Sequence, residues 1–232
     1  MDRTDQQTAA AFIAPPCKEQ VEILHADDHC LLINKPSGLL SVPGRLPENR
    51  DCVISRVQQH YPDALIVHRL DMDTSGIMVL ARGKESHRHF SIQFQDRLAD
   101  KEYMAWVEGL VLNDEGSMDQ PMRCDWPNRP KQMVDYQQGK SALTHYSVVK
   151  RDEAAHRTLL KLTPVTGRSH QLRIHCAAMG HPILGCRFYG TDTSINAAER
   201  LQLHAYYLSI RHPESSELLT MHSQFDFAGE IP

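Results

Sequence analysis

Across its 232 residues the sequence has no long apolar run, few aromatics (6%) and no C-x-x-C pair. Each absence excludes something. The apolar stretches are only a few residues long, far short of the roughly 20 needed to cross a bilayer, so no membrane span is expected. The opening MDRTDQQTAA has no basic region leading into an apolar core, which argues against a secretory signal. Cysteines at 17, 30, 52, 124, 176 and 186 are scattered as reduced thiols are, and a cytoplasmic protein is expected. No glycine-rich phosphate loop and no dinucleotide fingerprint occurs, so no nucleotide cofactor is expected. Basic charge is in deficit as well: 25 Lys and Arg against 29 Asp and Glu give a formal net charge of −4.

That deficit is not uniform. From Ala154 to Gly190 there is no acid at all, while Arg157, Lys161, Arg168, Arg173 and Arg187 fall there. His29 to Pro47 is likewise acid-free and carries Lys35 and Arg45. Binding a polyanion needs a local basic surface rather than a basic total, so nucleic acid stays in play beside any other phosphate-bearing ligand. With 41% hydrophobic and 23% charged residues, the chain has the composition of a globular protein. Its length suits one domain, residues 19–232, preceded by a polar, proline-containing extension over residues 1–18 that is expected to be mobile.

The stretch that organises the chain is His68-Arg69-Leu70-Asp71-Met72-Asp73-Thr74-Ser75-Gly76. It sits between strand-like Leu65 to Val67 and the apolar run Ile77 to Leu80. A carboxylate, Asp71, is thereby held on a loop pinned at both ends, a placement suited to catalysis, although a turn-capping role fits the same residue. Gly76 can turn the chain or admit another backbone. Upstream, Val21 to Leu24 and Leu31 to Asn34 are strand candidates, and Lys35 to Arg45 is a Pro/Gly-punctuated loop. Cys52 to His60 has helical spacing with Asp51 as its cap, and Lys84 to Asp96 is a second helix with Phe90 and Phe94 in the core.

Lys101 to Val107 alternates as a strand, Tyr103 and Ala105 on one face, Met104 and Trp106 on the other. An isolated tyrosine there reads as half-buried packing. Pro121 to Lys140 looks irregular; with Arg123, Trp126, Arg129 and Lys131 it suits contact with phosphates and unstacked bases, or is simply an exposed loop. Strand-like runs follow at Leu143 to Val149, Thr158 to Leu162, Gln202 to Ile210 and Leu218 to Phe225. Between them, Gly167 breaks the chain, Ser169 can cap, and His170 to Met179 forms a helix closed by Gly180. Arg173 lies on its first turns, able to reach a carboxylate across a cleft.

HRLDMDTSG resembles the signature of the RluA-type RNA pseudouridine synthases, NKPSGLL their first motif and TGRSHQLRIH their third. The likeness runs from about Val21 to Phe225, and SGLLSVPGR, CDWPNRPKQ and GHPILG are closest to the RluA branch. It implies an α+β fold, a mixed, largely antiparallel sheet with flanking helices and a central RNA-binding cleft. It makes Asp71 the catalytic carboxylate, Arg173 its partner and Tyr103 the active-site tyrosine. Arg69 then fills the space left by a flipped base, with a phosphate ligand as the competing reading, and NKPSGLL buttresses the catalytic loop. The implied substrates are stem-loops of large-subunit ribosomal RNA and the anticodon arm of tRNA. Lys35, Arg45, Arg123, Arg129, Lys131 and Arg168 are the further RNA-binding candidates.

The chemistry that follows needs no metal or cofactor, because uracil is detached, turned and rejoined through carbon 5 without net oxidation. It needs an ionised carboxylate beside the ribose, as nucleophile or as base. That acid is expected to be buried, and a guanidinium holding it through two hydrogen bonds keeps it charged. Breaking such a buried pair costs on the order of 3–5 kcal/mol. A monomer is expected. Two other classes compete. A non-catalytic RNA-binding protein needs only the basic segments. A metal-dependent phosphoesterase would draw on the 14 histidines, but His87/His89 and His170/His175 lack the i, i+4 spacing of a helical zinc site.

Overall fold

The computed structural model describes residues 12–225 and 227. β1 (Glu22–Ala26) and β2 (Cys30–Lys35) form a hairpin whose turn is tied by Asp27, its Oδ1 accepting the N–H groups of His29 and Cys30. Next come α1 (Val53–Val57), β3 (Ala64–Ile66), β4 (Ser75–Arg82), α2 (Gly83–Gln95) and β5 (Asp100–Glu108). β6 (Glu115–Met118), β7 (Met122–Cys124), β8 (Gln132–Val134), β9 (Thr144–Asp152) and β10 (Arg157–Pro164) lead to α3 (Gln171–Ala178). α4 (Asp192–Asn196), β11 (Leu203–Arg211) and β12 (Leu218–His222) follow.

Ten strands make one sheet in the order β1-β2-β4-β11-β5-β10-β9-β6, with β3 on β4 and β12 on β11. Every pair in it is antiparallel except β4 with β11. This is the expected α+β class with a largely antiparallel sheet. β2 and β4 are apolar at consecutive positions because both their faces are covered. Leu31, Ile33, Met78 and Leu80 meet Val53 and Val57 of α1, while Leu32, Ile77 and Val79 meet Phe90 of α2. β5 divides by parity as its alternation predicts: Tyr103, Ala105 and Val107 lie with Leu172 and Cys176 of α3, and Met104 and Trp106 lie with Leu184 on the other side.

β11 is the seam. Among the described residues, the strands β1 to β4 and the group β5, β10, β9 and β6 touch as sheet neighbours only through it. Gly76 faces Ala205 in the parallel pairing, and Ala205 faces Tyr103 in the next. The loop before β4 and the tyrosine of β5 are thereby brought side by side.

Several local expectations change. α1 is capped by Cys52 and Ser55, not by Asp51, which pairs with Arg56 instead. α3 takes His170 as N-cap in a left-handed conformation (φ 56°), with no bond from Ser169. At its other end Gly180 (φ 87°) closes a Schellman turn, His181 N–H reaching Cys176 O and Gly180 N–H reaching Ala177 O. Residues 121–140 are not irregular throughout, since β7 and β8 pair as a hairpin that packs Met122 onto Ile174. Of the expected mobile extension, residues 1–11 lie outside the described residues. From Phe12 the chain is tied down: Asn49 bonds Phe12 O and Ala14 N, and Arg56 bonds the carbonyls of Cys17 and Glu19.

Candidate active site

Residues 67–74 join β3 to β4, and the stretch around Asp71 is held carbonyl by carbonyl. Ser41 Oγ donates to Leu70 O at 2.6 Å, Lys35 Nζ and Gly38 N–H both donate to Met72 O at 2.8 Å, and Ser37 Oγ donates to Asp73 O at 2.7 Å. The segment 35–41 therefore clamps the backbone on both sides of Asp71. Lys35 is not an RNA ligand: it is fully enclosed, and its other two protons go to Pro36 O and Leu39 O. Burial pulls its ammonium down to about 7, against the opposing pull of Asp73 and Asp71. His68 braces the same loop. Its Nε2 accepts the Val79 N–H at 3.1 Å, its ring stacks on Phe94 at 4.3 Å, and enclosure lowers it to about 3.

Asp71 Oδ2 lies 3.5 Å from Arg173 Nη1 and 3.8 Å from His170 Nε2. Arg173 Nη2 points to Asp73 Oδ2 at 3.8 Å. The expected partner is in place, but the expected geometry is not. One guanidinium is divided between two carboxylates, with no hydrogen bond to either, and Asp71 keeps 28% of its side chain exposed where Arg173 keeps 2%. The reason is positional: the acid opens to a cleft, whereas Arg173 is walled in by the rings of Phe188 and Tyr189 and donates Nε–H to Cys186 Sγ.

The cleft is two adjoining hollows of about 110 and 500 Å³ that share Arg69, Asp71, Lys101, Tyr103 and Arg168. Leu70, His170, Leu172 and Arg173 complete the smaller; Phe94, Gln95 and Arg97 complete the larger. Tyr103 is partly buried beside Asp71, and both burial and that charge push its phenol up, so it keeps its proton at neutral pH. Arg69 is exposed at the mouth. The other cationic candidates disperse. Arg45 is exposed on the 36–47 loop, Arg123 is paired to Asp135, Arg129 covers the exposed Trp126 ring at 3.4 Å, and Lys131 is partly exposed.

Sequence reasoning missed Lys101, Arg97 and His170, and it placed Phe94 wholly in the core. Lys101 was findable, because two residues before Tyr103 on a strand it must share that face. Metal-ligand patterns are weak. His87 Nε2 bonds Ile66 O, and His175 bonds Thr144 Oγ1 and Gln120 O. Among the described residues, His25, Asp27 and Cys30 lie close enough to share an ion. That carboxylate is already engaged by the β1–β2 turn and by His25 Nε2 at 2.7 Å, and none of the three lines the cleft.

Comparison with known proteins shows the family of the chain. Residues 29–178 match the family model described as RNA pseudouridylate synthase. The chain is 50% identical over 216 residues to "Dual-specificity RNA pseudouridine synthase RluA" of Vibrio vulnificus, covering 92% of this chain and 86% of that protein. It is 51% identical to the protein of the same name from Escherichia coli, over 92% of this chain and 97% of that one. Among solved structures, "Human RNA Pseudouridylate Synthase Domain Containing 1" superposes with a TM-score of 0.76 at 27% identity, over 91% of this chain and 86% of that one. The matched span holds the clamped loop, Tyr103 and Arg173 alike, and the chain belongs to the RNA pseudouridylate synthase family, isomerases that turn uridine into pseudouridine within RNA.

Proposed function

We propose that Asp71 is the carboxylate that works on the ribose of an extruded uridine, with Tyr103 against the uracil and Arg173 keeping the acid charged. The observation that carries this reading is the place of Asp71 Oδ2, where the two hollows meet and 3.5 Å from Arg173 Nη1. The smaller hollow takes a single base; the larger takes the ribose and the strand around it. A base must leave its stack to enter, and Arg69 at the mouth is placed to fill the gap it leaves.

In the reaction the bond from ribose to N1 breaks, uracil turns, carbon 5 bonds to the ribose, and the carbon 5 proton leaves. Tyr103, kept protonated, packs on the ring and can relay that proton through its hydroxyl. Asp71 acts on the ribose as nucleophile or base.

The substrates we propose are stem-loops of large-subunit ribosomal RNA and the tRNA anticodon arm, in keeping with the dual specificity named for the relatives. Arg168 and Arg69 in the cleft, with Arg129 and Lys131 on the β7–β8 hairpin and Arg45 on its loop, would supply phosphate contacts. Residues 19–232 form the catalytic domain, working as a monomer in the cytoplasm. The test is Asp71→Ala, assayed by tritium release from RNA carrying 5-tritiated uridine. Turnover should vanish while RNA is still bound; wild-type turnover in the variant refutes the assignment. Pseudouridine mapping in cells with and without the protein tests the targets, and unchanged tRNA removes that half.

A further inference from the structure

Tyr189 Oη is a junction. It accepts the Gln132 N–H of β8 at 2.8 Å and lies 2.6 Å from His170 Nδ1, and among the described residues it has no other hydrogen-bond partner. A phenol has one proton to give. The Gln132 amide is itself a donor, so among the described residues the only acceptor within reach of that proton is His170 Nδ1. An imidazole that accepts on Nδ1 and is neutral carries its proton on Nε2. That nitrogen faces Asp71 Oδ2 at 3.8 Å, the same oxygen Arg173 approaches at 3.5 Å.

We infer that His170 is a positioning residue for Asp71: a neutral Nε2–H donor whose tautomer is fixed by Tyr189 and, through it, by the β7–β8 hairpin. This rests on Asp71 being the working carboxylate. The fold supports the assignment in two further ways. His170 adopts a left-handed backbone (φ 56°), uncommon for any residue with a side chain. Its ring is also seated, stacked on Phe188 at 5.5 Å with Tyr189 edge-on at 5.6 Å. Arg173 alone cannot orient Asp71, because it is shared with Asp73. His170 Nε2–H brings a second donor to the same Asp71 oxygen. Contacts of this kind are often long before substrate is bound and tighten with it.

The coupling gives the hairpin a part in the chemistry. Gln132 sits on the strand that follows the exposed Trp126–Arg129 turn. RNA that presses on that turn acts on the amide that holds Tyr189, and Tyr189 sets the proton that meets Asp71.

The test has an arm that does not depend on turnover. A long-range proton–nitrogen spectrum of the full chain labelled at histidine nitrogen should show His170 neutral with its proton on Nε2; a proton on Nδ1 overturns the inference. In tritium release, His170→Ala should lower kcat by roughly 10- to 100-fold, the scale expected for a misplaced catalytic group, with KM for RNA within about twofold. His170→Gln, which puts an amide N–H where Nε2–H was, should rescue most of that loss, whereas His170→Asn should not. Tyr189→Phe should lower kcat in the same sense. His170→Ala at the wild-type kcat, or equal losses in the Gln and Asn variants, overturns the inference. Wild-type turnover by Asp71→Ala would instead sink the reading on which it rests, leaving the spectrum to stand by itself.

Discussion

Gly76 offers the sharpest test of how the site is assembled. A methyl group added there would sit 2.3 Å from Ala205 O and 2.5 Å from Ala205 N, where ordinary contact begins near 3.4 Å. Both atoms are backbone in the central strand β11, so relief requires β4 and β11 to part by about an ångström. The residue also has φ +114°, which L side chains rarely adopt. Overpacking of this kind costs about 1–3 kcal/mol and a strained backbone a further 1–3 kcal/mol. For a chain of this length 1 kcal/mol moves the melting temperature by roughly 2–4 °C. Gly76→Ala should therefore melt about 10 °C below wild type, and lose turnover even while folded, because Ala205 also pairs with Tyr103. Two controls separate the causes. Gly180→Ala meets nothing within 4 Å but has φ +87°, so only the backbone penalty of about 1 kcal/mol applies. Gly167→Ala meets nothing and has no such φ, so it should hold or gain slightly. Scanning calorimetry on the three variants reads the order directly. Gly76→Ala melting with Gly167→Ala would refute the close approach of the two strands.

Arg173→Lys keeps a charge but cannot reach Asp71 and Asp73 with separate nitrogens, and kcat should fall roughly 100-fold, the scale of one lost oriented donor; a wild-type rate would show that a point charge suffices. Lys35→Met should lower kcat by removing one of the two donors to Met72 O and the donor to Pro36 O and Leu39 O, while RNA affinity and its salt slope stay unchanged; a slope reduced by about one would restore Lys35 as a phosphate ligand. Acid should destabilise the fold well above the carboxylate range. His68 is lowered to about 3 by burial, with Lys101 adding, whereas unfolded it titrates near 6.5. Below that value the unfolded chain binds more protons, so stability falls as pH drops from 6.5 toward 3. By pH 5 the group accounts for about 1–2 kcal/mol, and His175, also lowered by burial, acts in the same sense. Urea midpoints at pH 7 and 5 measure the drop; His68→Gln, able to accept the same Val79 N–H, should flatten it, and an equal drop would refute the role of His68.

Asp71, Arg173 and Tyr103 were singled out because their strings resemble the family's motifs; from strand parity alone Tyr103 reads as a half-buried packing residue. Gly76 was legible as a place where another backbone draws near, though not which one: His204 bonds Ser75 across 129 residues, and no local pattern encodes that pairing. Lys35 was misread because a positive charge in a loop says nothing about three carbonyls that fold around it. The hairpin within 121–140 was hidden by strands of only three residues between prolines. His170 was passed over as a histidine among many, since its significance lies in Tyr189, nineteen positions on.

The late arrival of the central strand has a consequence for synthesis. During translation the two halves of the sheet emerge complete, each with a bare edge, and wait for residues 203–211 to slot between them. A ribosome paused before that point carries Asp71 and Tyr103 on separate, unregistered platforms. The register that sets the Asp71 loop beside Tyr103 is therefore written into a segment translated after both of them.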